Sequence, residues 1–178
     1  MAADLDYCVD QLRRLDRDRF LAAVAAPADL RADLMVLYAF NSEVARVRES
    51  VSEQMLGLIR LQWWREAIEE IFTGQPRRHA VATPLAEMAR RRGLSQAPFL
   101  RLIEARERDL DADPPQGIHE LEAYAAATSG SLIEIGRCMR MPHPAVIDDY
   151  SSNRLLTIED GRALTSVLGW QPEFVGQW

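Results

Sequence analysis

The sequence has no lysine: every one of its 21 basic residues is arginine. That absence excludes Schiff-base chemistry at a lysine amine and a Walker-type phosphate loop, which needs one. Cysteine is nearly absent as well. Cys8 and Cys138 stand far apart, too few for a disulfide framework or a zinc knuckle, and are expected to be reduced thiols of a cytosolic protein. The three histidines, His79, His119 and His143, share no metal-ligand spacing and read as loop or cap residues. No apolar run reaches the roughly 18 residues that span a bilayer. The opening Met-Ala-Ala-Asp-Leu-Asp-Tyr carries neither the basic nor the apolar stretch of a signal peptide, so none is expected. A basic excess is missing too. Against 27 acidic residues the net charge is −6, which argues against a dedicated nucleic-acid binder.

What is present is a chain of 178 residues with 48% hydrophobic content, enough for a core and about one domain. Period-two strands are missing, and apolar residues recur at helical spacing between Pro and Gly stops. The fold class is therefore all-α. Helices are expected over about 4–25, 29–50, 53–72, 84–92, 97–111 and 119–140, with Asp29 as an N-cap. The third helix carries apolar residues on two stripes, Leu56, Ile59, Trp63, Ala67 and Ile71 on one and Leu61, Trp64 and Ile68 on the other. It is expected to be central, with neighbours on both sides. Trp170, Phe174, Val175 and Trp178 crowd the end of the sequence. A complete domain rarely finishes so, and the chain reads as a piece of a longer all-helical protein.

Three stretches could carry chemistry. The segment 34–51 turns from apolar to charged. Glu43 and Glu49 are six apart, about 240° around a helix, and do not converge. Glu49 and Glu53 are separated by an expected helix break, so no carboxylate pair is available for a shared magnesium ion. The segment 104–113 places Asp109, Asp111 and Asp113 at the alternation of a calcium loop, with Glu120 at its twelfth position. Pro114 stands where that loop needs glycine, which argues for a solvated helix end with a Glu104–Arg108 pair instead. The segment 121–132 holds Ala125, Ala126, Ala127, Thr128, Ser129 and Gly130. Close helix packing is the first explanation for such small residues, and room for an apolar ligand the second.

Taken in order, Tyr38-Ala39-Phe40-Asn41, Leu61-Gln62-Trp63-Trp64-Arg65-Glu66-Ala67-Ile68, Gly74-Gln75-Pro76-Arg77-Arg78-His79, Glu104-Ala105-Arg106-Glu107-Arg108-Asp109 and the Ala-Thr-Ser-Gly stretch resemble the squalene/phytoene synthase family of head-to-head prenyltransferases. The likeness runs from about residue 7 to 135, with an echo at 161–165. It implies an isoprenoid-synthase-like helical bundle over residues 1–140, and truncated or divergent C-terminal helices over 141–178. In active members two aspartate-rich motifs hold magnesium ions that grip the substrates' diphosphates. Aligned on the first motif, this chain has Ala45, Arg46 and Glu49. Glu49 is at most a relic ligand, and the second motif is not found. Asp148-Asp149 comes too early to take its role.

The Asn-x-Glu-x-Ala-x-x-Arg variant is more similar to the divergent branch that includes the assembly factors of mitochondrial respiratory complex I. The resemblance thus implies a member that keeps the fold, lacks metal-dependent catalysis and acts as a binding or assembly protein. Two alternatives stay open: a magnesium-dependent prenyltransferase, and a structural helical protein without a ligand. On the first reading no catalytic residue, metal ligand or cofactor is expected, and magnesium enters only with the prenyltransferase. The candidate binding residues are Tyr38, Asn41, Arg46, Arg48, Glu49, Trp64, Thr128 and Gly130. An open apolar groove lined by Tyr38, Phe40, Trp64 and residues 125–130 should follow. The implied partners are a prenyl diphosphate or another apolar-tailed ligand, a protein in assembly, and a membrane surface touched peripherally by a cytoplasmic protein. No nucleic acid is expected.

Overall fold

The computed structural model describes residues 2–140, apart from 112 and 114. Residues 141–178, with Asp148-Asp149, the echo at 161–165 and the aromatic end, lie outside the described residues. All regular structure described is helical, and no helix among the described residues is long and apolar enough to cross a membrane.

Helices α1 (Ala2–Leu15) and α2 (Arg17–Ala25) replace the single first helix read from the sequence. The break is at Asp16, which leaves helical geometry at φ −148°, ψ 78°. One oxygen of its carboxylate accepts the Arg19 N–H at 3.0 Å and the other accepts the Arg19 guanidinium at 2.5 Å. An aspartate that caps a new helix competes successfully with continuing the old one. Helix α3 (Ala28–Ala45) starts directly after Pro27, so Asp29 sits in its first turn and not at the cap. It ends earlier than expected. Arg46 turns the chain at φ −92°, ψ 6°, and the single turn α4 (Val47–Ser50) follows.

Helix α5 (Gln54–Thr73) stops where the sequence says it should. Gly74 adopts φ 85°, and the Gln75 N–H returns to the Glu70 carbonyl at 2.9 Å, a close that glycine alone makes without strain. Gly93 ends α6 (Ala82–Arg92) in the same way at φ 62°. Pro98 opens α7 (Ala97–Glu107), which tightens into a 3₁₀ turn at Arg108–Leu110. The last predicted helix is two, α8 (Ile118–Ala125) and α9 (Ser131–Arg140), joined by a π turn over Ala126–Gly130.

The core lies where α3, α5, α6, α7 and α9 meet. Phe40 is its centre, edge-on to Trp64 at 5.3 Å and to Phe99 at 5.6 Å. Helices α1 and α2 cover the flank of α3 and bury a smaller cluster of Leu12, Ala23 and Met35. Helix α5 buries one face, not two. Leu61, Trp64, Ala67, Ile68 and Ile71 point inward, whereas Leu56 and Ile59 stay 47% and 57% exposed. The small-residue segment lies against α7 and α9, but not through close approach at Gly130. A methyl group at Gly130 would meet nothing closer than 3.8 Å. Close approach is found instead at Gly57, where a Cβ would stand 2.5 Å from Leu110 Cδ2.

A buried carboxylate ties the bundle together. Asp33 on α3 is 2% exposed. It receives Arg91 and, at 2.6 Å, Arg92 Nε, both from the end of α6. Arg92 also donates to the Asp29 carbonyl at 2.6 Å and to the Met139 carbonyl on α9 at 3.2 Å.

Asp33→Asn should lower unfolding free energy by about 2 kcal/mol in urea titrations, the scale of hydrogen bonds to a charged group. Gly57→Ala gains helix propensity of about 1 kcal/mol but overpacks Leu110 by about 1–3 kcal/mol. It should destabilise the native chain and stabilise a Leu110→Ala background, a change of sign that the same titrations read.

Candidate functional site

The α3–α4 end is the place where the sequence puts its candidate chemistry. Asn41 and Ser42 are buried on the last turns of α3. Beyond them the chain reaches the surface. Arg46 Nη2 lies 3.4 Å from Glu49 Oε2, and the Glu49 side chain is 68% exposed. Arg48 is exposed. Ser50 Oγ accepts Arg60 Nη1 at 2.7 Å and donates to the Val47 carbonyl at 2.9 Å. Arginines therefore occupy this corner, and the one carboxylate aligned with a metal ligand faces an arginine.

The other candidates are distributed through the bundle. Tyr38 is half-buried, packs against both hydrophobic clusters, and has its hydroxyl pKa pushed up by burial while Arg19 pulls it down. Trp64 is buried edge-on between Phe40, Trp63 and His79. Thr128 is buried in the π turn, its hydroxyl donating to the Tyr124 carbonyl at 2.8 Å; Gly130 is half-buried beside it. Of the residues expected to line a groove, Phe40 and Trp64 are buried against each other. The structure brings Arg46 and Glu49 together and leaves Trp64, Thr128 and Gly130 in separate packing roles.

Magnesium needs several hard oxygen ligands at one point. Among the described residues no three His, Cys, Asp or Glu side chains converge on one. The calcium-like run is equally dispersed. Asp109 receives Arg106 and the Tyr124 hydroxyl, Asp111 receives Arg108, and Glu120 receives Arg108 and the Gln116 N–H. Arg108 thus pairs with Asp111 at 3.3 Å and Glu120 at 3.2 Å, not with Glu104 as the helix spacing suggested. Burial and the Asp109 contact push the Tyr124 hydroxyl to about 12.

Sequence reasoning missed the surroundings of Glu43. Gln11 of α1 donates to this carboxylate. Its field reaches Tyr7, Cys8 and His79. Cys8 is fully buried, and burial pushes its thiol up to about 12. The only signal in the sequence was a polar Asn-Ser-Glu triplet inside an apolar helix.

His79 is the cap that its loop position suggested. Its Nδ1 accepts the Val81 N–H at 3.2 Å and the Ala82 N–H at 3.4 Å, at the start of α6. The His79 N–H donates to Thr83 Oγ1 at 3.3 Å, and the Thr83 N–H returns to the His79 carbonyl at 3.0 Å. Burial lowers the His79 pKa below the usual histidine range, and Glu43 opposes that shift.

A lowered folded-state pKa means a stabilising contribution that is whole above the ordinary histidine value and lost as pH falls through the folded one. His79→Ala should cost about 1 kcal/mol at pH 7.5, the scale of a helix cap. The gap between variant and native chain should narrow toward pH 5, which urea unfolding at several pH values measures.

The family model described as squalene/phytoene synthase matches residues 12–140. The chain is 39% identical over 127 residues to the rat (Rattus norvegicus) protein named NADH dehydrogenase (ubiquinone) complex I, assembly factor 6, and 36% identical over 127 residues to its human counterpart. It is 30% identical over 137 residues to the Drosophila melanogaster homolog. Each match covers 71% of this chain. The chain spans 38% of the length of the rat and human relatives and 40% of the fly relative. No solved structure matches it.

Proposed function

Because the chain belongs to the squalene/phytoene synthase family, we propose that it is a member that binds without condensing prenyl groups: a binding or assembly protein built on the synthase bundle. The observation that carries this reading is the Arg46–Glu49 pair. It stands where the family resemblance calls for carboxylates that share a metal ion. A guanidinium there repels a divalent cation and offers a diphosphate a direct partner. The relatives named as complex I assembly factors support the assembly role, for which the partner is a protein. An apolar-tailed anion such as a prenyl diphosphate is the ligand that Arg46 and Arg48 would receive on this reading, with no metal between.

The test is direct. The chain is incubated with farnesyl or geranylgeranyl diphosphate and magnesium, and released diphosphate is measured. No release above the blank is expected, together with a stoichiometric binding signal that chelation leaves unchanged. Turnover, or binding that vanishes on chelation, overturns the proposal in favour of the magnesium-dependent prenyltransferase.

A further inference from the structure

Helix α5 presents to solvent a surface that the core does not use. Met55, Leu56 and Ile59 are 63%, 47% and 57% exposed and lie within little more than one turn. One helical turn further on, an open notch of ≈ 360 Å³ is lined by Leu58, Ile59, Gln62, Trp63 and Glu66. The strip from Met55 to Glu69 is about 21 Å long at the helical rise. Exposed aliphatics spaced three and four apart, with a notch between them, are the counterpart of an amphipathic helix that inserts its own side chains.

The notch has a fixed wall. The Trp63 ring lies under the Arg77 guanidinium at 5.0 Å, and Trp64 and His79 each approach it with ring centroids at 5.0 Å. Arg77 is itself held by two hydrogen bonds to Glu70, at 2.6 and 2.5 Å. An aromatic anchor ordered before binding loses little entropy when it is covered. Tryptophan, methionine and arginine are also the residue types in which interface centres are enriched.

Charge selects the occupant. Glu53 and Glu69 are exposed and have no ion pair among the described residues, and Glu66 is 3.4 Å from an Arg77 that Glu70 already engages. Glu53, Glu66 and Glu69 thus border the apolar strip in a chain of net charge −6, while of its cations Arg60 is turned to Ser50 Oγ and Arg77 to Glu70 and Glu66. An anionic lipid surface would be repelled. A second copy related by a two-fold axis would bring the same carboxylates against their own kind. A partner helix with arginine or lysine beside its apolar stripe neutralises them. We propose that the outward face of α5 is a docking surface for a basic amphipathic helix of a partner protein, an inference that rests on the reading of this chain as a binding protein.

Two peptides of about 15 residues test it. They share one leucine stripe at helical spacing and differ only in flanking arginines or glutamates. Each is titrated into the whole chain while tryptophan emission is followed, with Trp63→Phe to assign the signal. The arginine peptide should saturate, and the glutamate peptide should bind about tenfold more weakly. Ile59→Asp should weaken the arginine peptide about tenfold. Its side chain is exposed, so circular dichroism should show the fold unchanged. Glu66→Arg with Glu69→Arg should reverse the order of the two peptides. Equal affinities, or no saturable binding by the folded chain, overturn the proposal. So does a dimer, or uptake onto phosphatidylglycerol-containing vesicles, that Ile59→Asp abolishes. A failed titration without prenyl turnover sinks this surface alone, whereas turnover sinks the reading beneath it.

Discussion

One buried carboxylate organises the bundle. Asp33 has lost nearly all contact with water, and an ionised group in that position must be matched by charge and by hydrogen bonds or it is expelled. Arg91 and Arg92 supply both. Arg92 does more than neutralise. Its fork meets the Asp33 carboxylate, the Asp29 carbonyl and the Met139 carbonyl, so one side chain joins α3, α6 and α9. A lysine ammonium lacks the rigid planar fork that spreads donors over three such acceptors. Arg92 reaches α9 through the Met139 backbone carbonyl, while the Met139 side chain is buried in the core.

The parts of the fold that were legible in the sequence are those decided within a few residues. Gly74 and Gly93 end helices because only glycine relaxes at positive φ, and Pro98 opens one because its missing N–H is not needed there. Asp16 and Arg46 escaped notice for a different reason. Neither interrupts the apolar period, and the break at Asp16 is capped by a side chain that also engages Arg19. Partner choice over long separations was the least legible. Arg108 sits four residues from Glu104 but turns to Glu120, and Glu43 finds Gln11 on a helix thirty-two residues earlier. The exposed face of α5 was misread because an apolar stripe says that something is covered without saying whether the cover lies in the same chain.

Ala, Thr, Ser and Gly over Ala126–Gly130 lie against α7 and let the helix widen into a π turn. A π turn releases a backbone carbonyl from its ordinary partner, and Thr128 meets the Tyr124 carbonyl with its hydroxyl. Tyr124, in the last turn of α8, fixes this junction to the end of α7, its hydroxyl 2.7 Å from Asp109 and 2.6 Å from Arg106, whose guanidinium also overlies the ring at 5.7 Å. Bulky residues in the turn would have to find room against α7, while the exposed Ala125 and Ala126 need none.

The Arg46–Glu49 corner obeys the same electrostatics as Asp33 with the opposite outcome. A helix end carrying several carboxylates on one face is unstable by itself, since like charges four residues apart repel and only a bound cation removes the repulsion. Such an end is stable because it is occupied. Here the guanidinium lies within the chain, 3.4 Å from the carboxylate it neutralises, in solvent, where the pair costs little and contributes little. The corner's surplus charge, in Arg48, is positive and attracts anions. The Arg46–Glu49 corner and the exposed apolar face of α5 are both surfaces that another molecule can reach.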